Sequence, residues 1–282
     1  MGTVGKVVVG VGAEDMRAVV ELAAEEARRT GSGLHLVRAV HVLAASPEAA
    51  AMVMDVKAWN RDLLEAAVAQ AEDVGQGVLP VTHELVMGTP VSVLVAAGRK
   101  ARMVVLAHRH LSRVSRLVDR SVANAVAAHL PVPVLTVPVG RRSGGAGVVV
   151  VGVDVPERAE EVLRTAIAEA RARDASLRVV HSGDVRRRAE VSAALDRLGD
   201  ESVALEAEVV VRSGRPADVL LEESRTADLL VLGRHDPLVP IGSHLGPVAR
   251  AVLRESACPV LLASPHHARR PEQLSASGRG GF

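Results

Sequence analysis

The sequence has no tyrosine, one tryptophan, one phenylalanine and one cysteine in 282 residues. With so few aromatic side chains there is no stacking platform for the bases of a single-stranded nucleic acid. The lone Cys258 excludes an intrachain disulfide and fits a reducing compartment. No run of about 18 apolar residues occurs, so no membrane-spanning helix is expected. The opening "MGTVGKVVVG" has neither the apolar core nor the small-residue cleavage site of a secretory leader, and Lys6 breaks the myristoylation pattern. The expected location is the cytoplasm. Excess charge of one sign is also missing. The formal net charge is +1, with 14 basic and 13 acidic residues in 1–140 and 20 of each in 141–282. Neither half is the basic body that nucleic-acid binding through bulk charge requires.

What is present is a repeat. "KVVVGVGAED" (Lys6–Asp15) matches "VVVVGVDVPE" (Val148–Glu157), and Val9 meets Val151 at an offset of 142. "MGTPVSVLVAAGRKARMVVLAHRH" (Met87–His110) matches "SGRPADVLLEESRTADLLVLGRHD" (Ser213–Asp236), and Gly88 meets Gly214 at an offset of 126. The second copy is thus shorter by about 16 residues, and the extra piece is the helical stretch near Pro47–Val74 of the first.

Five strand-like runs recur in each copy. They lie near Lys6–Val11, Leu34–Val40, Val78–Val86, Met103–Ala107 and Val132–Val137, then near Val148–Val153, Leu177–His181, Val203–Val211, Leu229–Leu232 and Pro259–Ala263. Most are apolar at consecutive positions, as strands buried on both faces are. Helical patterns separate them; in Glu157–Arg173, Leu163, Ala166, Ile167 and Ala170 share one stripe. Pro90 and Pro216 stand where a helix begins and a missing N–H costs nothing. Alternating strands and helices predict an α/β fold of two tandem doubly wound domains, each a five-stranded parallel sheet with helices on both faces. The domains are expected over 1–140 and 141–265, joined near Pro138–Gly147, with a flexible tail over 266–282.

Three stretches together resemble the universal stress protein family in its tandem form: "VVVGVD" ending at Asp154, the G-x-P turn of "SGRPADVLLEESRTADLLVLG", and the glycine loop that leads into "ESACPVLLAS". The resemblance covers about 5–139 and 147–264. It implies ATP binding at the carboxyl ends of the strands in many members, through a loop of the form G-x2-G-x9-G-[ST], an Asp after the first strand and a backbone contact after the second. Mapped onto the second copy, it implies a site made of Asp154, Ser182, Leu232, Gly233, Arg234, His235, Gly246 and Val248. The spacing is kept, but Asp236 replaces the second glycine and Pro247 the Ser or Thr. Arg234, His235 and His244 are the cations available to offset Asp236. The first copy departs further: Gly12 replaces the Asp, Ala107, His110 and Arg120 replace the three glycines, and only Ser121 is kept. Its loop is basic, with Arg109, Arg113, Arg116 and Arg120 against Asp119, and reads as a solvated loop that side chains alone would make an anion site. The resemblance also implies that the last strands of the two copies pair as a pseudo-dimer. A homodimer of chains and an unidentified protein partner are further expectations.

Other chemistry finds little support. His108 and His110, or His266 and His267, lack the Cys or carboxylate spacing of a zinc site. Cys258 before a buried strand reads as a small hydrophobe. There is no G-x-S-x-G elbow and no HExxH. Two readings stay open: a non-enzymatic stress-response protein with ATP or another adenine nucleotide as regulatory ligand, and a non-nucleotide structural or protein-interaction module of the same fold.

Overall fold

The computed structural model describes residues 5–13, 15–41, 47–108, 122–140, 146–199, 205–234 and 245–264. In the first half, strands β1 (Val7–Gly10), β2 (Leu34–Val40), β3 (Val81–Met87), β4 (Met103–His108) and β5 (Val134–Pro138) alternate with helices α1 (Arg17–Arg29), α2 (Pro47–Gly75), α3 (Pro90–Gly98) and α4 (Val122–His129). The second half repeats this with β6 (Val148–Val153), β7 (Ser176–Ser182), β8 (Ala207–Arg212), β9 (Leu229–Leu232) and β10 (Val260–Leu262). Its helices are α5 (Glu160–Ala172), α6 (Arg188–Asp196), α7 (Pro216–Glu223) and α8 (Pro247–Glu255). The extra length of the first copy is α2, 29 residues against 9 in α6.

All ten strands form one sheet in the order β3-β2-β1-β4-β5-β10-β9-β6-β7-β8. Every pairing is parallel except β5 with β10, where Leu135 faces Leu261. The last strands, which would be exposed edges of separate domains, therefore cover each other and remove an aggregation-prone edge. The outer edges are β3 and β8, whose residues are only partly buried.

Alternation along the central strands feeds two cores. Val7, Val9, Val149 and Val151 face α1, α2, α5 and α6; Val8, Val104, Val150 and Leu230 face α3, α4, α7 and α8. Each core runs across both halves. The predicted stripe of Leu163, Ala166, Ile167 and Ala170 is buried in the first of them. Gly152 interrupts β6 for a packing reason: a Cβ there would stand 2.8 Å from Leu232 Cδ2 and 3.1 Å from Leu220 Cδ2. Gly10 does the same in β1, against Leu106 and Leu94.

The second half is anchored at its start by one carboxylate. Asp228 accepts backbone N–H bonds from Ala146 (3.0 Å), Gly147 (2.7 Å) and Val148 (3.2 Å). Gly147 has a φ of +68°, which lets the three donors converge. Charge-assisted bonds are the stronger kind. Asp228→Ala is expected to cost about 1–3 kcal/mol, read as a lower urea midpoint with unchanged slope.

Candidate nucleotide-binding site

In a doubly wound sheet the ligand crevice lies where neighbouring strands send their chains in opposite directions. In the second half that point is between β6 and β9, since β6 leads outward to β7 and β9 inward to β10. Register places the candidate residues around it. Val153 pairs with His181 and Gly152 with Leu232. One step further along, Asp154 stands level with Ser182, and Gly233 follows on the other side. With strands about 4.8 Å apart, the three span roughly 10 Å.

Each has a distinct setting. Asp154 is exposed just past β6. Ser182 ends β7, and its hydroxyl donates to the Gly214 carbonyl at 2.7 Å, tying the strand to the turn before α7. That turn is the G-x-P motif, with Gly214 at φ +143°. Ser182 therefore offers a ligand chiefly its backbone. Leu232 is buried, and its carbonyl accepts from Ala263 N–H at 2.9 Å. Gly233 is exposed, and among the described residues a Cβ there would meet only Val162, at an ordinary 3.6 Å. The lack of crowding among the described residues makes it a place for close backbone approach.

Gly246 is the N-cap residue of α8, without a side-chain cap, and Pro247 is the first residue of the helix. The first N–H groups of a helix have no partner within it, and Pro247 removes one. The donors left are the N–H groups of Gly246, Val248 and Ala249. The Val248 side chain packs against the core below. Among the described residues nothing accepts from these donors, and they and the positive end of the helix dipole favour an anion.

One of the expected residues, Arg234, has its side chain engaged elsewhere. Arg234 crosses to the first half, where its guanidinium donates to the carbonyls of Ala127 (2.5 Å) and Val132 (2.8 Å). Burial pulls its pKa down to about 10, so it stays charged at neutral pH. Its guanidinium is thus hydrogen-bonded at the seam between the halves. His235, with Asp236 and His244, lies outside the described residues, as do the basic loop from Arg109 to Ser121 and the tail.

A residue that no motif flagged completes the edge. His181 is buried, and its Nδ1 donates to the Val153 carbonyl at 2.9 Å, just before Asp154. A Cβ on Gly183 would fall 2.6 Å from His181 Nε2, so glycine lets the ring lie there. The available signal was a histidine at the end of a valine-rich strand, next to Ser182.

The first half uses the corresponding space differently. Gly10 pairs with Val37 as Gly152 pairs with Val180, so Arg38 takes the place of His181 and Val11 that of Val153. Arg38 donates to the Val11 carbonyl (2.9 Å) and to Asn60 Oδ1 (2.7 Å). Its guanidinium lies 5.6 Å from the centre of the Trp59 ring, within cation–π range. Asn60 and Trp59 belong to α2, so the added helix covers this edge with the chain's own side chains.

A cavity of about 480 Å³ lies elsewhere, around Val148, Ser176 and Ala207 at the amino ends of β6, β7 and β8. Its charged lining, Arg178, Arg188, Glu206 and Glu208, is mixed in sign, and the topology of the sheet places it at the opposite end from the crevice. Among the described residues no group of three or more His, Cys, Asp or Glu is placed to hold a metal ion, and no helix is long and apolar enough to cross a membrane.

The model of the universal stress protein family matches the chain twice, over residues 3–138 and 146–264. The chain belongs to the universal stress protein family. Universal stress protein Rv1996 of Mycobacterium tuberculosis is 28% identical over 298 residues, spanning 91% of this chain and 94% of that one. Universal stress protein Rv2005c of the same organism is 30% identical over 234 residues, spanning 73% and 78%. Among solved structures, a universal stress protein from Archaeoglobus fulgidus superposes with a TM-score of 0.72 over 91% of this chain and 96% of that one. At 17% identity it shares the fold. As a tandem universal stress protein, the chain carries both copies of the fold in one ten-stranded sheet.

Proposed function

We propose that the second domain of this universal stress protein binds an adenine nucleotide as a regulatory ligand, with ATP the first ligand to test. The observation that carries the reading is the register that sets Asp154, Ser182 and Gly233 side by side at the switch point. Asp154 would take the nucleoside hydroxyls, the Ser182 backbone the base edge, and Gly233, Gly246 and the Val248 N–H the phosphates. His181 holds the carbonyl before Asp154 and so sets where that carboxylate stands. The first domain is read as empty of nucleotide, because Arg38, Asn60 and Trp59 cover its edge and Gly12 supplies no carboxylate.

Pro247 favours the second reading, a scaffold without nucleotide, because it takes one donor from the phosphate end. The readings separate on Asp154. Asp154 is exposed, and exposed substitutions usually change stability by less than about 0.5 kcal/mol. Asp154→Ala is therefore expected to keep the melting temperature and to weaken ATP at least tenfold, about 1.4 kcal/mol. Calorimetry that shows equal affinity in the variant would remove the carboxylate, and with it this site, from the account.

A further inference from the structure

Pairing of β5 with β10 covers the inner edge of each domain and leaves β8 as the outer edge of the second. Among the described residues β8 pairs only with β7. The Leu177 N–H donates to the Glu206 carbonyl and the Gly183 N–H to the Arg212 carbonyl, so the even-numbered residues of β8 turn their backbone groups to β7. Ala207, Val209 and Val211 therefore turn theirs outward, a row of donors and acceptors that can template another strand. Such edges are ordinarily blunted by Pro, Lys or a bulge. β8 reads "AEVVVR" and keeps an unbroken register with β7, so it carries none of these.

The side chains of the edge are self-complementary. Glu208, Val210 and Arg212 share the face toward α7, and the two charged ones are exposed. Arg178 pairs with Glu208 (3.0 Å) and Glu223 (3.1 Å), and Arg212 with the other oxygen of Glu223 (3.1 Å). This line of charges begins on an acid and ends on a base, both at the open edge. A two-fold axis at Val210 sets two copies of β8 antiparallel. Val209 and Val211 then exchange both backbone bonds with Val211 and Val209 of the second copy, Val210 faces Val210, and each Glu208 faces the other copy's Arg212. Opposite charges directly across an antiparallel pair stabilise it, and like charges oppose it. Moving the axis to Val209 sets Glu208 against Val210, and moving it to Glu208 sets two carboxylates face to face. The outer edge of the first domain lacks this match. The outward row of β3 is Val81, His83, Leu85 and Met87, and two-fold registers set Glu84 against itself, Thr82 or Val86, never against a base.

We infer that β8 is a docking edge for a second copy of this chain, which pairs with it antiparallel about Val210 and joins the two sheets into one. The last strands of the two domains are already paired inside the chain, so the homodimer takes its surface from β8. A two-fold contact uses the same patch on both copies and closes, so assembly stops at two. At the contact the line from Arg178 through Glu208 continues into Arg212 and Glu223 of the second copy. The inference stands apart from the nucleotide reading, because β7 lies between this edge and the crevice at β6 and β9.

Sedimentation velocity of the full chain without ligand tests the edge. Between about 1 and about 100 µM the wild type is expected to pass from the chain mass to twice that mass. Glu208→Arg sets base against base at both crossings and Arg212→Glu sets acid against acid, and each alone is expected to weaken the dimer at least tenfold. An equimolar mixture of the two variants has opposite charges at both crossings and is expected to dimerise as the wild type does. Damage to either fold would not be rescued by mixing. Glu84→Arg, the same reversal on β3, is expected to leave the dimer unchanged. A wild type that keeps the chain mass up to about 100 µM overturns the inference. So do single variants on β8 that dimerise like the wild type, a mixture that stays at the chain mass, and a Glu84→Arg chain that no longer dimerises.

Discussion

Arg173→Ala is expected to lower the unfolding free energy by about 3–5 kcal/mol, measured by urea denaturation at neutral pH. Arg173 belongs to a quartet that joins the domains through α1 and α5. It pairs with Glu26 of the first domain at 2.6 Å and with Glu169 of its own. Arg29 pairs with Glu169 across the seam at 2.8 Å and with Glu26 in its own helix. The two carboxylates are 2% and 3% exposed, so neither has water to fall back on. Removing one guanidinium leaves two buried like charges sharing one cation. Coulomb attraction does not make such a quartet better than apolar packing; replacing all four residues by hydrophobic ones of similar volume often proves neutral or stabilising. The large cost belongs to breaking it by one member.

The pH dependence has a definite sign. Burial pushes the Glu169 pKa up, Glu26 pushes it further, and Arg173 and Arg29 oppose both. A carboxyl whose folded pKa is raised contributes stability that is present below its unfolded pKa and lost as pH rises through the folded value. Without Arg173 an opposing charge is gone and the rise is larger. The deficit of Arg173→Ala is therefore expected to be larger at pH 7.5 than at pH 5. A deficit independent of pH would mean that Glu169 does not carry the unpaired charge.

The double variant Asp236→Gly with Pro247→Ser is expected to raise ATP affinity at least tenfold. Pro247 begins α8 behind the uncapped Gly246. Serine restores the missing N–H and adds a hydroxyl, and a hydrogen bond to a charged group contributes roughly 1.5–3 kcal/mol. Asp236 lies outside the described residues, so its part rests on spacing: a carboxylate at about 4 Å from a phosphate costs on the order of 1–4 kcal/mol between water and protein dielectrics. Pro247→Ser alone is expected to give part of the gain. If calorimetry shows no gain in either variant, the loop does not approach phosphate in the manner its spacing suggests.

Much of the fold was legible because it depends on local pattern. Leu34–Val40, Val148–Val153 and Leu229–Leu232 are strands over the expected residues, and the pairing of β5 with β10 agrees with the family resemblance. At three of the starts that moved, a backbone feature stands beside the shift. The third strand was expected from Val78 but starts at Val81, because Gln76 and Gly77 turn with positive φ and leave Val78 84% exposed. The last strand starts at Val260 and not at Pro259, which has no N–H to give the ladder. The helix expected over Glu157–Arg173 starts at Glu160, after a short turn at Pro156–Arg158.

The site was legible only in its backbone. Glycine spacing and a strand-end Asp are local features, and they point to Asp154, Gly233 and Gly246 as candidates. The destinations of long side chains are not local. Arg234 beside a glycine loop looked like a phosphate ligand, and nothing near it in sequence pointed to carbonyls about a hundred residues earlier. Glu26 with Arg29, and Glu169 with Arg173, have the spacing of ordinary surface helix pairs; only packing of the two domains buries them. Arg38 with Asn60 and Trp59 was hidden for the same reason, since α2 had first to fold back over β2.

The central claim is one nucleotide per chain, in the second domain. The most direct test is native mass spectrometry of the full chain purified without added ligand, followed by ATP titration in the calorimeter with tryptophan emission recorded alongside. Trp59 is the sole tryptophan and sits on the first domain's covered edge. The expected result is one site with a dissociation constant below about 100 µM, roughly −5.5 kcal/mol, and Trp59 emission that stays constant through the titration. No co-purified nucleotide and no heat up to millimolar ATP would contradict it, as would a site whose filling changes Trp59 emission and survives Asp154→Ala.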